Sequence, residues 1–171
     1  MPGLEKLEAM MPDSALLDTS FFIRFLNEND KLFHNADSYY QYFLNKEINL
    51  VISTISVAEF CVGGSVDQLP LKNIQILPFN LNHAKKTGEF AHALFEARKA
   101  GKINFKDRLL IPNDSKLFAQ ADIESNIKYY VTSDTESLKA FELIKQQCNP
   151  KFNIVDINLP LSEAFGILDM K

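Results

Sequence analysis

The chain has 171 residues, 46% of them hydrophobic, which suits one domain with a real core, and its 6 Gly and 7 Pro exclude a globally disordered polymer. A net charge of −4 argues against a sequence-blind nucleic-acid coat, which should be basic, yet allows an enzyme that grips phosphate through a divalent ion. No apolar run approaches the ~18 residues of a membrane span, and the N-terminus lacks the apolar stretch of a secretory signal. Cys61 and Cys148 form no metal-binding spacing, so a cytoplasmic protein with reduced thiols is expected.

In chain order, residues 1–13 read as a loosely attached leader, with Met1, Met10 and Met11 all open as the natural start, and 14–171 as a single domain. Ala15-Leu16-Leu17 predicts a buried strand that ends on Asp18, followed by a short helix at about 20–27 with Thr19 or Ser20 as its cap. Ala36, Tyr39, Tyr40, Phe43 and Leu44 recur at helical spacing, with Asn35 as the cap. Ile48–Ile52 is a second strand, and the helix after it carries Glu59 and stops near Gly63-Gly64.

Ile74–Leu77 is a third strand. The longest helix runs from about Asn82 to Ala100 and is expected to bury Ala84, Ala91, Leu94 and Phe95. An irregular basic segment at 102–113 precedes a helix opened by Asn113-Asp114. Ile127–Thr132 is a fourth strand that leads to Ser133-Asp134, and a further helix and a strand at 152–155 close the domain. Alternation of this kind implies a three-layer α/β/α fold around a central, mostly parallel sheet of about five strands.

Four acids stand at or near the starts of helices: Asp18, Glu59, Asp114 and Asp134. Each has a plain explanation. Asp18 terminates a strand, Ser56-Val57-Ala58-Glu59 fits a capping box, and Asp114 and Asp134 suit the first turn of a helix. Convergence is another matter, because each close pair would repel by roughly 2–3 kcal/mol at ~6 Å and an effective dielectric of about 20. Caps have no need to converge. Four acids that do would require raised pKa values or a divalent cation, and an all-oxygen donor set favours Mg²⁺ or Mn²⁺ over zinc. His34, His83 and His92 are scattered and none is read as catalytic.

The order Leu16-Leu17-Asp18-Thr19-Ser20, then Ile52-Ser53-Thr54-Ile55-Ser56-Val57-Ala58-Glu59-Phe60, then Asn113-Asp114, then Tyr130-Val131-Thr132-Ser133-Asp134, resembles the PIN-domain family, which includes the bacterial VapC-type ribonucleases. The resemblance spans about residues 14–156 and puts the family's acidic quartet on Asp18, Glu59, Asp114 and Asp134, with Thr19 and Thr132 as hydroxyl neighbours. It implies a Mg²⁺- or Mn²⁺-dependent endoribonuclease, the toxin of a toxin–antitoxin pair, that leaves a 5′-phosphate and a 3′-hydroxyl. In that picture Asp18, Asp114 and Asp134 bind the metal, directly or through water, while Glu59 holds a water.

RNA is then the expected substrate, with Lys102, Lys106 and Arg108 offered as backbone contacts against the alternative of a solvated basic face. A small antitoxin protein or a second copy of the chain is the expected partner. Tyr39, Tyr42 and Phe43 are candidates for such an interface, with core packing as the other explanation. Glu136 is either an extra acid or a solvated helix start.

The competing class is a catalytically inactive PIN-like module that binds nucleic acid or a protein. An intact quartet argues against it, because a degenerate site loses an acid. Other phosphotransfer folds fit poorly: a haloacid-dehalogenase-type phosphatase needs a second Asp where Ser20 stands, and a receiver domain needs paired acids after its early strand.

Overall fold

A computed structural model describes residues 11–101 and 113–166. Within them five strands form one all-parallel sheet in the order β3-β2-β1-β4-β5. The strands are β1 (Ser14–Leu17), β2 (Asn49–Ser53), β3 (Ile74–Leu77), β4 (Ile127–Thr132) and β5 (Asn153–Asp156). Between and after them run α1 (Thr19–Phe25), α2 (Phe33–Asn45), α3 (Thr54–Phe60), α4 (Leu81–Lys99), α5 (Asn113–Ile123), α6 (Thr135–Cys148) and α7 (Leu161–Phe165). Parallel strands need long crossover connections, which these helices supply.

Side-chain alternation along β1 divides the core. Ala15 and Leu17 face a cluster with Phe21, Phe22, Tyr39 and Phe43 from α1 and α2. Leu16 faces the other way, into Phe90, Leu94, Phe118, Phe141 and Ile144 from α4, α5 and α6. Both faces of the sheet are therefore covered, which is why its strands are continuously apolar rather than alternating. The expected three-layer α/β/α architecture is the one found.

Some local expectations need correcting. Asp18 itself caps α1, accepting from the Thr19 backbone N–H, so neither Thr19 nor Ser20 is the cap. Asn35 lies inside α2, which starts at Phe33, and its amide donates to the Ile157 carbonyl instead. The helix bearing Glu59 ends at Phe60, before Gly63-Gly64.

The long helix buries His83, Thr87, Phe90, Ala93, Leu94 and Ala97, while Ala84 is exposed and Phe95 is 53% exposed. The cause is its position against both α5 and α6, where small and polar side chains allow close approach. Tyr39 and Phe43 are fully buried and Tyr42 packs against them, so these rings build the core and do not form an exposed interface. Cys61 and Cys148 are free thiols. Among the described residues no helix is long and apolar enough to cross a membrane.

Candidate active site

The chain leaves β1 to one side through β2 and β3, then returns to pair β4 on the other side of β1. This reversal opens a crevice at the carboxyl ends of β1 and β4, the place where open α/β sheets collect ligands. The register pairs Leu17 with Val131, so the next residues, Asp18 and Thr132, meet at the mouth of that crevice. The Asp18 N–H extends the ladder by donating to the Val131 carbonyl at 3.0 Å.

Asp18 is 5% exposed and its carboxylate is held by three donors. The Thr19 N–H donates at 2.7 Å, Ser20 Oγ at 2.8 Å and Thr132 Oγ1 at 2.9 Å. Burial nevertheless pushes its pKa above the ordinary carboxylate value, the three hydrogen bonds opposing the shift and the charge of Glu59 adding to it. Ser20 also accepts from the Ser133 N–H at 2.9 Å, so one hydroxyl joins α1 to the end of β4.

Glu59 is not half of a capping box. Ser53 is the N-cap of α3, and the Glu59 carboxylate points away to other elements. Thr19 Oγ1 donates to its Oε2 at 2.5 Å, and the Asn113 side-chain amide donates to its Oε1. Glu59 thus links the starts of α1 and α5. Lys116 Nζ donates to Asn113 Oδ1 at 3.0 Å and steadies that amide.

Asp114 lies in the first turn of α5. Its pKa is pushed up to about 7, first by burial and then by the charges of Asp18, Asp134 and Glu59, with the nearby Ser137 hydroxyl opposing. Shared partners tie the acids together: Thr19 bonds to both Asp18 and Glu59, Thr132 Oγ1 donates to Asp18 and accepts from the Asp134 N–H, and Asn113, next to Asp114, donates to Glu59. No hydrogen bond of normal geometry reaches its carboxyl from the described residues, and the buried Ser137 Oγ is likewise without a partner among them.

Asp134 caps α6, accepting from the Glu136 N–H at 2.9 Å, and stands exposed at the rim. Its own N–H donates to Thr132 Oγ1 at 3.0 Å. The acids gather loosely: among the described residues no group of three or more His, Cys, Asp or Glu side chains stands close enough to hold a metal ion as it is.

Glu136 is exposed and accepts from Lys139 one turn on, as a solvated helix start would. His83 serves structure, with Nδ1 accepting from the Asn80 N–H and Nε2 therefore donating to Glu124. Lys102, Lys106 and Arg108 lie outside the described residues. Sequence reasoning missed the roles of Ser20 and Asn113. Their adjacency to Asp18 and Asp114 was the available signal, since a buried carboxylate needs donors and nearby hydroxyls and amides supply them.

The comparisons agree with this architecture. Residues 15–144 match the PIN domain family. The DNA-bound VapBC from Salmonella typhimurium contains a chain that overlays with a TM-score of 0.54 and 21% identity, covering 85% of this chain and 98% of that one. VapBC2 from Rickettsia felis, bound to a DNA fragment from its promoter, gives 0.51 and 22% identity over 83% of this chain and 97% of that one. At such identities the likeness is one of fold. No curated protein sequence matches. The family match covers most of the chain and falls on the strands and helices that bear the four acids, and the chain belongs to the PIN-domain family.

Proposed function

We propose that the protein is a Mg²⁺- or Mn²⁺-dependent endoribonuclease, the toxin member of a toxin–antitoxin pair, with Asp18, Glu59, Asp114 and Asp134 as its catalytic acids. The observation that carries this reading is the hydrogen-bonded convergence of acid-bearing segments from four separate elements at the sheet's switch point. The donor set suits a hard cation, being entirely carboxylate and hydroxyl oxygen. The half-buried Asp114 carboxyl, beside the orphaned Ser137 hydroxyl, is the kind of group a cation would relieve. A loose arrangement is compatible with Mg²⁺, which keeps several waters and asks for only one or two carboxylates.

Asp18, Asp114 and Asp134 would hold the ion, directly or through water. When bound, the ion supplies a Lewis acid for the phosphoryl oxygens and an activated water. Thr132 and Ser20 fix the direction of the Asp18 carboxylate, and Thr19 and Asn113 fix that of Glu59. Glu59 can then orient a water as acceptor, which turns a collision into a positioned attack on phosphorus. The partner we assign, a small antitoxin protein, is supported by the likeness of this chain's fold to a chain of the VapBC complexes.

Cleavage of labelled, structured RNA in Mg²⁺ or Mn²⁺ tests the proposal, run beside EDTA and an Asp114→Asn variant. Metal-dependent cutting that disappears in the variant is the expected result. Equal cutting by both proteins would remove Asp114 from the site. Absence of cutting, together with no effect of Mn²⁺ on the melting temperature, would leave the non-catalytic binding module as the function.

A further inference from the structure

Beside the acidic crevice, and sharing Asp134 and Ser20 with it, lies a cavity of about 430 Å³. Its other walls are Arg24 from α1, Lys31 and Leu32 from the α1–α2 turn, Ser133 and Thr135 at the start of α6, and Asn158 after β5. The size is within the range of small-ligand sites. Its chemistry is the opposite of the crevice: cations and neutral hydrogen-bonding groups, with Asp134 as the single acid in the wall.

Several of these groups are underused. Arg24 gives Nη1 to Asp30 at 2.7 Å, but its Nε is buried with no hydrogen-bond partner among the described residues. The Ser133 hydroxyl, in a residue 8% exposed, is also buried and without a partner. Lys31 is exposed and forms no ion pair among the described residues. Asn158 uses its amide on the Ser133 and Asp156 oxygens, which holds the far wall in place. What the cavity offers an acceptor is charge: the Arg24 guanidinium, only partly engaged by Asp30, and the Lys31 ammonium, unpaired among the described residues, both line it.

We infer that this cavity is the subsite for a phosphate of the RNA strand adjacent to the scissile one, gripped by the Arg24 and Lys31 cations. The assignment rests on the ribonuclease reading above. An anion held here draws the strand across Asp134 into the crevice, and it resolves a difficulty of the acidic quartet, which by itself repels the polyanion it must cut. Arg24 and Lys31 are substrate-positioning residues in this scheme and touch no reacting atom. A guanidinium in partial ion pairing suits the task, since its fork can keep Asp30 and take a second acceptor.

The test is binding of a labelled single-stranded RNA in EDTA, where no cutting occurs, measured by anisotropy across a salt series. Lys31→Ala, Arg24→Gln and the control Lys145→Ala, a cation on the last turn of α6, are compared with wild type. Lys31→Ala should weaken binding about tenfold, as loss of one charged phosphate contact does. It should also reduce the slope of log affinity against log salt by ~0.7. Arg24→Gln should do the same, and Lys145→Ala should do neither. Because Arg24 also pairs with Asp30, the exposed Lys31 provides the variant that folding cannot confuse.

A Mn²⁺-induced rise in melting temperature retained by Lys31→Ala is part of the expected result, since the acids are untouched. RNA binding by wild type that both variants preserve, with the slope unchanged, overturns the subsite and leaves the ribonuclease reading standing. Failure of wild type to bind RNA overturns both.

Discussion

Replacing Asp114 by Asn should stabilise the metal-free protein at alkaline pH while abolishing the RNA cleavage proposed above. The carboxyl has a pKa of about 7 in the fold against an ordinary 3.8. A raised carboxylate pKa means that the folded state binds the proton more tightly than the unfolded state. Stability from this group is therefore full at low pH and drains away as pH rises from about 4 to about 7. At ~1.4 kcal/mol for each tenfold difference in proton affinity, the loss reaches up to ~4 kcal/mol at about pH 8. Asn has the same shape and no charge to desolvate, so the variant should escape that loss.

The assay is chemical and thermal unfolding of both proteins in EDTA across that pH range. The informative quantity is the difference between them, in which other titrating groups cancel. It should be near zero at about pH 4 and grow in favour of the variant toward pH 8, at about 2–4 °C of melting temperature per kcal/mol. Mn²⁺ should close the gap by stabilising wild type alone. Parallel stability curves, or a variant less stable than wild type at high pH, would refute the claim that Asp114 is a half-buried member of an acidic cluster.

Further outcomes follow from other contacts. Thr132→Val removes the donor to Asp18 Oδ2 and the acceptor of the Asp134 N–H with little change of shape; it should cost about 1–3 kcal/mol in urea unfolding and lower the cleavage rate. Ser53→Ala deletes a bond to the fully buried Gln120 Oε1 and the cap of α3. A loss of about 2–3 kcal/mol is expected in the same assay, with RNA binding retained. Phe118→Ala opens a hole where Tyr130, Phe141 and Phe152 meet; about 3–5 kcal/mol should be lost. Glu47 is exposed at a φ of 56°, a left-handed conformation that penalises a Cβ, so Glu47→Gly should raise stability by up to ~1 kcal/mol.

The sheet was legible because its strands are buried on both faces, which leaves short apolar runs that end abruptly on acids or hydroxyls. Asp18 and Asp134 stand at such ends, and their positions follow directly from the pattern. Glu59 and Asp114 could be assigned only through the family resemblance, since a capping box or a first-turn acid has the same local sequence. The partners of Glu59 were beyond reach. Thr19 and Asn113 are far from it along the chain, and only packing of α1 and α5 on α3 brings them near. The buried face of α4 was misjudged for a related reason: a helix wedged between two others hides a histidine and a threonine, whose burial depends on partners such as Glu124 and a backbone carbonyl.

The place of β1 at the centre of the sheet bears on how such a protein is made. Its four residues leave the ribosome well before one of their two neighbours, β4, which begins only at Ile127. A nascent chain can pair β1 with β2 early, but the edge facing β4 stays open until Ile127–Thr132 has been synthesised. Asp18 lacks Thr132, and Asp114 lacks Asp134, throughout that interval. On the ribonuclease reading proposed above, a ribosome making such a chain is shielded from its product, because no chain that stops short of the end of β4 carries all four acids. Translation at ~5–20 residues per second would make the delay several seconds long, time in which a partner protein could be waiting when the last strand pairs.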